Sequence, residues 1–357
     1  MNILKVMMFM FVVSVVLQVA FGQHHIRCLP KEREALLQFK AAIVDDYGML
    51  SSWTIPDCCQ WEGIRCTNLT AHIISLDLHG QVHYEYFPLL GQYSAVSWRY
   101  ISGEIHKSAC VRYSLQELSL RDNQIRGSLP DLSAFLNLKT FDLSSNQLSG
   151  KISEGTRLPS HLEQLLIMSN SLEGGVPKSF GSTCTLELLD LSDNKLSEDL
   201  TVIFNHLSGC SRYSLRELYL RQNKINGTLP DFSIFAKLET LDISGNRLDG
   251  VPKLLHNVTV LRSLNLFNNS LSENLPTIMH HLSSSLQSLH LGMNQIKGTL
   301  PRNLATMFPS LKELYLDSNK LNGTISEDLR FPTELEKKWN LKIRMIVRVP
   351  CSMDIDN

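Results

Sequence analysis

Apolar and polar positions along this chain recur with a fixed period. From residue 115 onward the pattern L-x-x-L-x-L-x-x-N-x-L repeats nine times. It begins with "LQELSLRDNQI" at Leu115, "LKTFDLSSNQL" at Leu138 and "LEQLLIMSNSL" at Leu162, and continues from Leu186, Leu215, Leu238, Leu261, Leu286 and Leu311. The copies start 23 to 25 residues apart, except for one step of 29 between Leu186 and Leu215. Each L-x-L has the period of two of a short strand with alternate side chains pointing inward. Stacked in parallel, nine such strands share one concave sheet, and their apolar positions fill a core that no single repeat closes alone. The Asn closing each copy, from Asn123 to Asn319, is placed to satisfy backbone groups of the turning chain, a structural role.

A second half-motif, L-x-G-x-I/L-P, follows most copies: "IRGSLP" ends at Pro130, "LEGGVP" at Pro177, "INGTLP" at Pro230 and "IKGTLP" at Pro301. Gly permits a tight bend, and Pro marks the end of regular pairing. Repeats four ("LSEDL") and seven ("LSENLP") lack the Gly, and repeat six ("LDGVP") is one residue short, so irregularity is expected there. The combined pattern resembles the plant extracellular leucine-rich repeat of receptor-like proteins, receptor kinases and polygalacturonase-inhibiting proteins. That resemblance implies an α/β fold: a right-handed leucine-rich-repeat solenoid with a parallel concave β-sheet, an irregular or 3-10 convex side and a helical N-terminal cap.

Residues 28–66 suit such a cap, which a solenoid needs to cover its exposed end. Leu36, Phe39, Lys40 and Ile43 fall at helical spacing with Leu37 beside them, and Trp53 and Trp61 add bulk. Four cysteines allow three pairings, and the adjacent Cys58 and Cys59 are poor partners for each other. The segment resembles the plant N-terminal leucine-rich-repeat cap, which implies Cys28–Cys58 and Cys59–Cys66. A degenerate first repeat begins with "IISLDLHG" at Ile73 and resumes at "ISGEI" from Ile101, interrupted by about 18 extra residues. The insertion carries Tyr84, Tyr86, Phe87, Tyr93, Trp98 and Tyr100. It reads either as a recognition loop or as a worn repeat with satellite packing, the second being favoured.

Residues 110–150 and 210–250 match at an offset of 100, the trace of a duplicated block of repeats. Cys184 and Cys210 precede consecutive strands and are expected to bridge the 29-residue step. Cys110 duplicates Cys210 without a Cys one coil earlier, and Cys351 stands alone in the tail. Leu335 falls on schedule for a tenth strand, but Lys338 and Asn340 take positions that should be apolar. The expectation is a truncated or alternatively spliced member of a longer receptor family. The domain reading is a signal peptide at 1–22, the cap at 23–72, the degenerate repeat at 73–114, nine repeats at 115–334 and an aberrant tail at 335–357.

Charge narrows the partners. With 34 Lys plus Arg against 35 Asp plus Glu, the basic excess of a nucleic-acid binder is missing. Lys5 followed by "VMMFMFVVSVVLQVAFG" reads as a secretory signal cut near Gly22. No other stretch has the length of a transmembrane helix. Export to the apoplast, or to the cell membrane in a longer anchored form, fits the disulfides and the sequons at Asn68, Asn226, Asn257, Asn268 and Asn322. Metalloprotease, hydrolase, phosphate-loop and kinase signatures are missing, and the adjacent pairs His24-His25 and His280-His281 lack the spacing of helical metal ligands. No enzyme activity, cofactor or metal is therefore expected. Tyr219, Arg221, Phe267, His290 and Tyr315 project from the concave strands and are the expected ligand-binding group, because such side chains dominate binding energy. The expected partner is a peptide or protein, with a co-receptor kinase beside it. The resemblance implies defence or developmental signalling, in a chain lacking its own kinase and membrane anchor. The alternative is a secreted inhibitor of cell-wall hydrolases, and a third possibility is a product without function.

Overall fold

The computed structural model describes residues 28–87, 92–104, 114–250, 260–322 and 329–333, with the backbone alone for 82–99 and 104. The signal segment, Cys110, Asn257, Cys351 and the tail from 335 lie outside the described residues. An 11-stranded sheet runs the length of the molecule. It starts with Ile64–Cys66 antiparallel to Ile73–Asp77 and continues in parallel through the nine strands from Glu117–Ser119 to Glu313–Tyr315. The inward leucines of the concave strands are buried, as with Leu186, Leu189 and Leu191 of the fourth repeat. Each is worth roughly 2 kcal/mol of transfer free energy. The cavity behind the sheet is thus one continuous apolar core.

The asparagine ladder does more than close its own turn. Asn194 donates from Nδ2 to the carbonyls of Leu191 and Ser192, and to that of Ile167 on the preceding coil. Its Oδ1 accepts the N–H of Leu172, also on the preceding coil, at 3.0 Å. The same reach recurs from Asn123 to Asn319. The residue before these asparagines is left-handed, at φ 51–57° for the eight that are not Gly.

A second ladder lies beside the first, parallel except where Ile43–Val44 pairs antiparallel with Ser102–Glu104. Six strands, Ile43–Val44, Ser102–Glu104, Gln124–Gly127, Gln147–Lys151, Ser171–Gly174 and Lys195–Leu196, form its main sheet. The half-motif Gly supplies its bend. Gly227 sits at φ 86°, and a Cβ there would collide with the Asp199 carboxylate. Where Glu198 and Glu273 replace that Gly, the ladder narrows to single bridges, Asp199 with Asn226 and Asn274 with Lys297. A helix follows each, Leu200–Leu207 and Leu275–His281. Asp199 caps the first by accepting from Thr201 N–H at 2.8 Å, and Pro276 sits in the first turn of the second. The convex side is therefore partly α-helical. A register shift between Gly227 and Thr228, with Asp249 skipped, marks the irregular sixth repeat.

The cap helix, Pro30–Ala42, buries Glu32, Ala35 and Leu36. Phe39 packs partly against the core, but Ile43 is extended, the first residue of a strand, and Lys40 turns its ammonium to the Leu50 carbonyl at 2.7 Å. The expected apolar face is thus shorter and includes a carboxylate. Glu32 accepts from Ile73 N–H at 2.9 Å and Ser114 Oγ at 2.6 Å and contacts His72 Nδ1, tying cap to first coil. Trp53 and Trp61 stack at 5.0 Å over the end of the core. Disulfides join Cys28 to Cys58, Cys59 to Cys66 and Cys184 to Cys210, with Cα separations of 5.2, 5.6 and 4.7 Å. The aromatic insertion is a hairpin, Gln81–Phe87 against Gln92–Arg99, whose strands join neither ladder. Its base meets the cap where Tyr47 and Tyr100 lie 4.6 Å apart.

Candidate recognition surface

Residues between the inward leucines project from the concave face. Strand register aligns the central ones in a single column: Asp77, Ser119, Asp142, Leu166, Asp190, Tyr219, Asp242, Asn265, His290 and Tyr315. At about 4.8 Å per strand, Tyr219 stands roughly 14 Å from His290. The five expected binding residues thus share a face but form two groups rather than one cluster. Asp242 and Asn265 lie between them, joined Nδ2 to Oδ2 at 3.0 Å.

In the C-terminal group, His290 and Tyr315 hold their rings 4.2 Å apart, and His290 Nε2 meets Ser288 Oγ at 3.0 Å. Phe267 lies over Gly292, where a Cβ would stand 3.1 Å from its ring. In the other group Tyr219 donates its hydroxyl to Glu217 at 2.7 Å. Burial, and then the Glu217 carboxylate, push this phenol above its usual range. Arg221 is drawn towards Asp193 at 3.5 Å.

The middle of the face is apolar. Leu166, Met168 and Leu188 project half-buried from neighbouring strands. Leucines in outward positions were the sequence signal for this patch, hidden among the leucines of the motif itself. Beside it, burial pushes the Asp190 carboxyl above the ordinary carboxylate range.

Asn68, Asn226, Asn268 and Asn322 are exposed. Asn226 opens a strand of the second ladder, and Asn322 follows Lys320–Leu321 at the equivalent place. Asn268, at φ 53°, stands at the margin of the concave sheet next to Phe267. Two cavities, of about 500 and 730 Å³, flank the cap, one lined by Arg65, Asp77, His79 and Glu117 and the other by Glu32, His72 and Ser114. Among the described residues no three His, Cys, Asp or Glu side chains are grouped to hold a metal. No described helix is long and apolar enough to cross a membrane.

Known proteins share these features. The leucine-rich-repeat N-terminal domain family matches residues 29–67, a two-copy leucine-rich-repeat family 113–155, and the single-repeat family six segments between 185 and 331. Receptor-like protein EIX2 of Solanum lycopersicum is 27% identical over 347 residues, covering 62% of this chain and 34% of the relative. The chain thus spans about a third of that relative's length. A plant ice-binding protein superposes with a TM-score of 0.65 and 28% identity, covering 84% of this chain and 89% of its own. The leucine-rich-repeat ectodomain of the Arabidopsis receptor kinase HAESA, solved with a peptide hormone ligand, gives 0.60 and 28%, covering 82% and 50%.

Proposed function

We propose that this chain, which belongs to the leucine-rich-repeat family and is similar to plant receptor-like proteins, recognises a peptide or protein outside the cell through its concave sheet. The observation supporting this most directly is the outward column: Tyr219, His290 and Tyr315 are half-exposed on a rigid sheet whose other face holds the core. Aromatic side chains fixed by a framework lose little entropy on binding and make strong anchors. The HAESA ectodomain, with the same fold, was solved with a peptide bound. Three disulfides suit an oxidising compartment. A receptor role in defence or development, with a partner kinase carrying the signal, is the finer form of the same proposal.

The test is selection of a displayed random-peptide library on the exported chain, followed by affinity measurement for the strongest binder. His290→Ala with Tyr315→Ala should weaken it by at least about tenfold, as loss of an anchor does. Tyr213→Ala, in a convex 3-10 turn, should leave it unchanged. The reverse sensitivity, or no selected binder, contradicts the proposal.

A further inference from the structure

We propose that the middle of the concave face is a slot for a long cationic side chain, a lysine or arginine presented by the ligand. Leu166 and Met168 lie under its methylene stem, with Asp142 and Asp190 on either side of its charged end. The inference rests on the concave face being the recognition surface.

Register places Asp142, Leu166 and Asp190 in one row, so two carboxylate-bearing strands flank an apolar one. Two strand spacings put their backbones roughly 10 Å apart. The ladder continues past the strand ends: Ser145 N–H donates to Met168 O at 2.8 Å, and Ser169 N–H to Ser192 O at 2.9 Å. Alternation therefore carries Ser144, Met168 and Ser192 on the same outward side as the row before them.

Two independent features point to a missing polar group. Ser144 is 2% exposed, yet its hydroxyl has no hydrogen-bond partner, while the fully buried Ser192 hydroxyl lies against the Asp190 carboxylate. The two serines flank Met168. Buried hydroxyls are nearly always partnered. Asp142 also commits only Oδ1, to the Ser144 N–H at 2.8 Å, and Asp190 takes the Ser192 N–H at 2.9 Å.

Charge selects the occupant. Arg121 pairs with Asp122 at 3.0 Å, and Arg221 pairs with Asp193 at 3.5 Å while its charge also reaches Asp190, so neither slot carboxylate holds a salt bridge of its own. An apolar ligand covering the slot would strip water from two unpaired carboxylates, at a large cost. An anionic one would be repelled. A lysine or arginine lays its stem on apolar surface while its head stays polar. A guanidinium, with five donors, can serve both carboxylates.

The probe is N-acetyl-hexaarginine amide, titrated calorimetrically at low salt against the full chain. The Asp142→Asn, Asp190→Asn double variant should bind at least tenfold more weakly, because Asn keeps the acceptor for the serine N–H and removes only the charge. Asp249→Asn with Asp231→Asn changes the same charge on the second ladder and the convex side, and should cost under twofold. Met168→Lys places a cation in the slot and should also weaken binding. No binding to the wild type, an unchanged double variant, or equal loss in the off-face control overturns the slot. Library peptides that bind without a basic residue, and are sensitive to His290→Ala, overturn it while leaving the recognition surface intact.

Discussion

Replacing one rung of the asparagine ladder has a consequence calculable from its neighbours. In Asn194→Ala, three carbonyls lose the Nδ2 donor, but each keeps another: Ile167 O from Asn170, Leu191 O from Asn223, and Ser192 O from Ser169 N–H. Only the Leu172 N–H, which donates to Asn194 Oδ1 at 3.0 Å within a buried segment, loses its sole partner. An orphaned buried donor costs about 1–3 kcal/mol, and three weakened carbonyl contacts add about 1 kcal/mol, for an expected loss near 3 kcal/mol. Asn194→Asp should cost more at neutral pH. It keeps the acceptor for Leu172 but turns a carboxylate towards three carbonyl oxygens. Urea unfolding gives the stability, and amide exchange at Leu172 locates the damage. Loss below about 0.5 kcal/mol, or undiminished Leu172 protection, would refute the reasoning.

Replacing Cys184 and Cys210 together by Ser should lower stability by about 3.5 kcal/mol, the closure term for a loop of this length; an unchanged melting temperature under matched oxidising conditions contradicts this. Glu32→Ala should cost about 2–3 kcal/mol by orphaning the buried Ile73 N–H, seen as early loss of near-ultraviolet tryptophan signal from the cap. A signal melting only with the repeats would show that this contact does not hold the cap. Hexaarginine affinity should be flat at neutral pH and fall on acidification, because the cation favours ionised Asp190 and competes with its proton. Since burial raises the Asp190 pKa, the fall should begin above the ordinary aspartate range; a midpoint at or below that range counts against the slot. Glycopeptide mapping should find Asn226 and Asn268 occupied, and a glycan on Asn268 would shield part of the concave face beside Phe267; a bare Asn268 contradicts that.

The fold was readable because one constraint recurs. Inward leucines and ladder asparagines repeat at a fixed spacing, so nine copies reinforce one reading. Even the left-handed position leaves a trace: its occupants, among them Asp122, Ser145, Gln222, Gly245 and Met293, include no β-branched residue. What pitch and stacking decide was not readable. The reach of Asn Oδ1 to the preceding coil appears only once the coils are stacked. The loss of Gly at Glu198 and Glu273 was visible, but the helices that follow depend on Asp199 capping one and Pro276 opening the other. The insertion drew attention by its aromatic composition, whereas the alternation of Val82, Tyr84 and Tyr86 with Gln81, His83 and Glu85 was its actual hairpin signal. Membership of the concave face was legible for all five candidate residues. Their separation into two groups was not, because it depends on the strands carrying Asp242 and Asn265 between them.

The central claim, that the concave sheet is the recognition surface, can be read directly by hydroxyl-radical footprinting of the chain with and without its strongest selected peptide or protein binder. Met168, Tyr219, Phe267, His290 and Tyr315 should lose reactivity together on binding, while the exposed convex Tyr213 keeps its own. Protection of Tyr213 with the concave side chains unchanged would contradict the account.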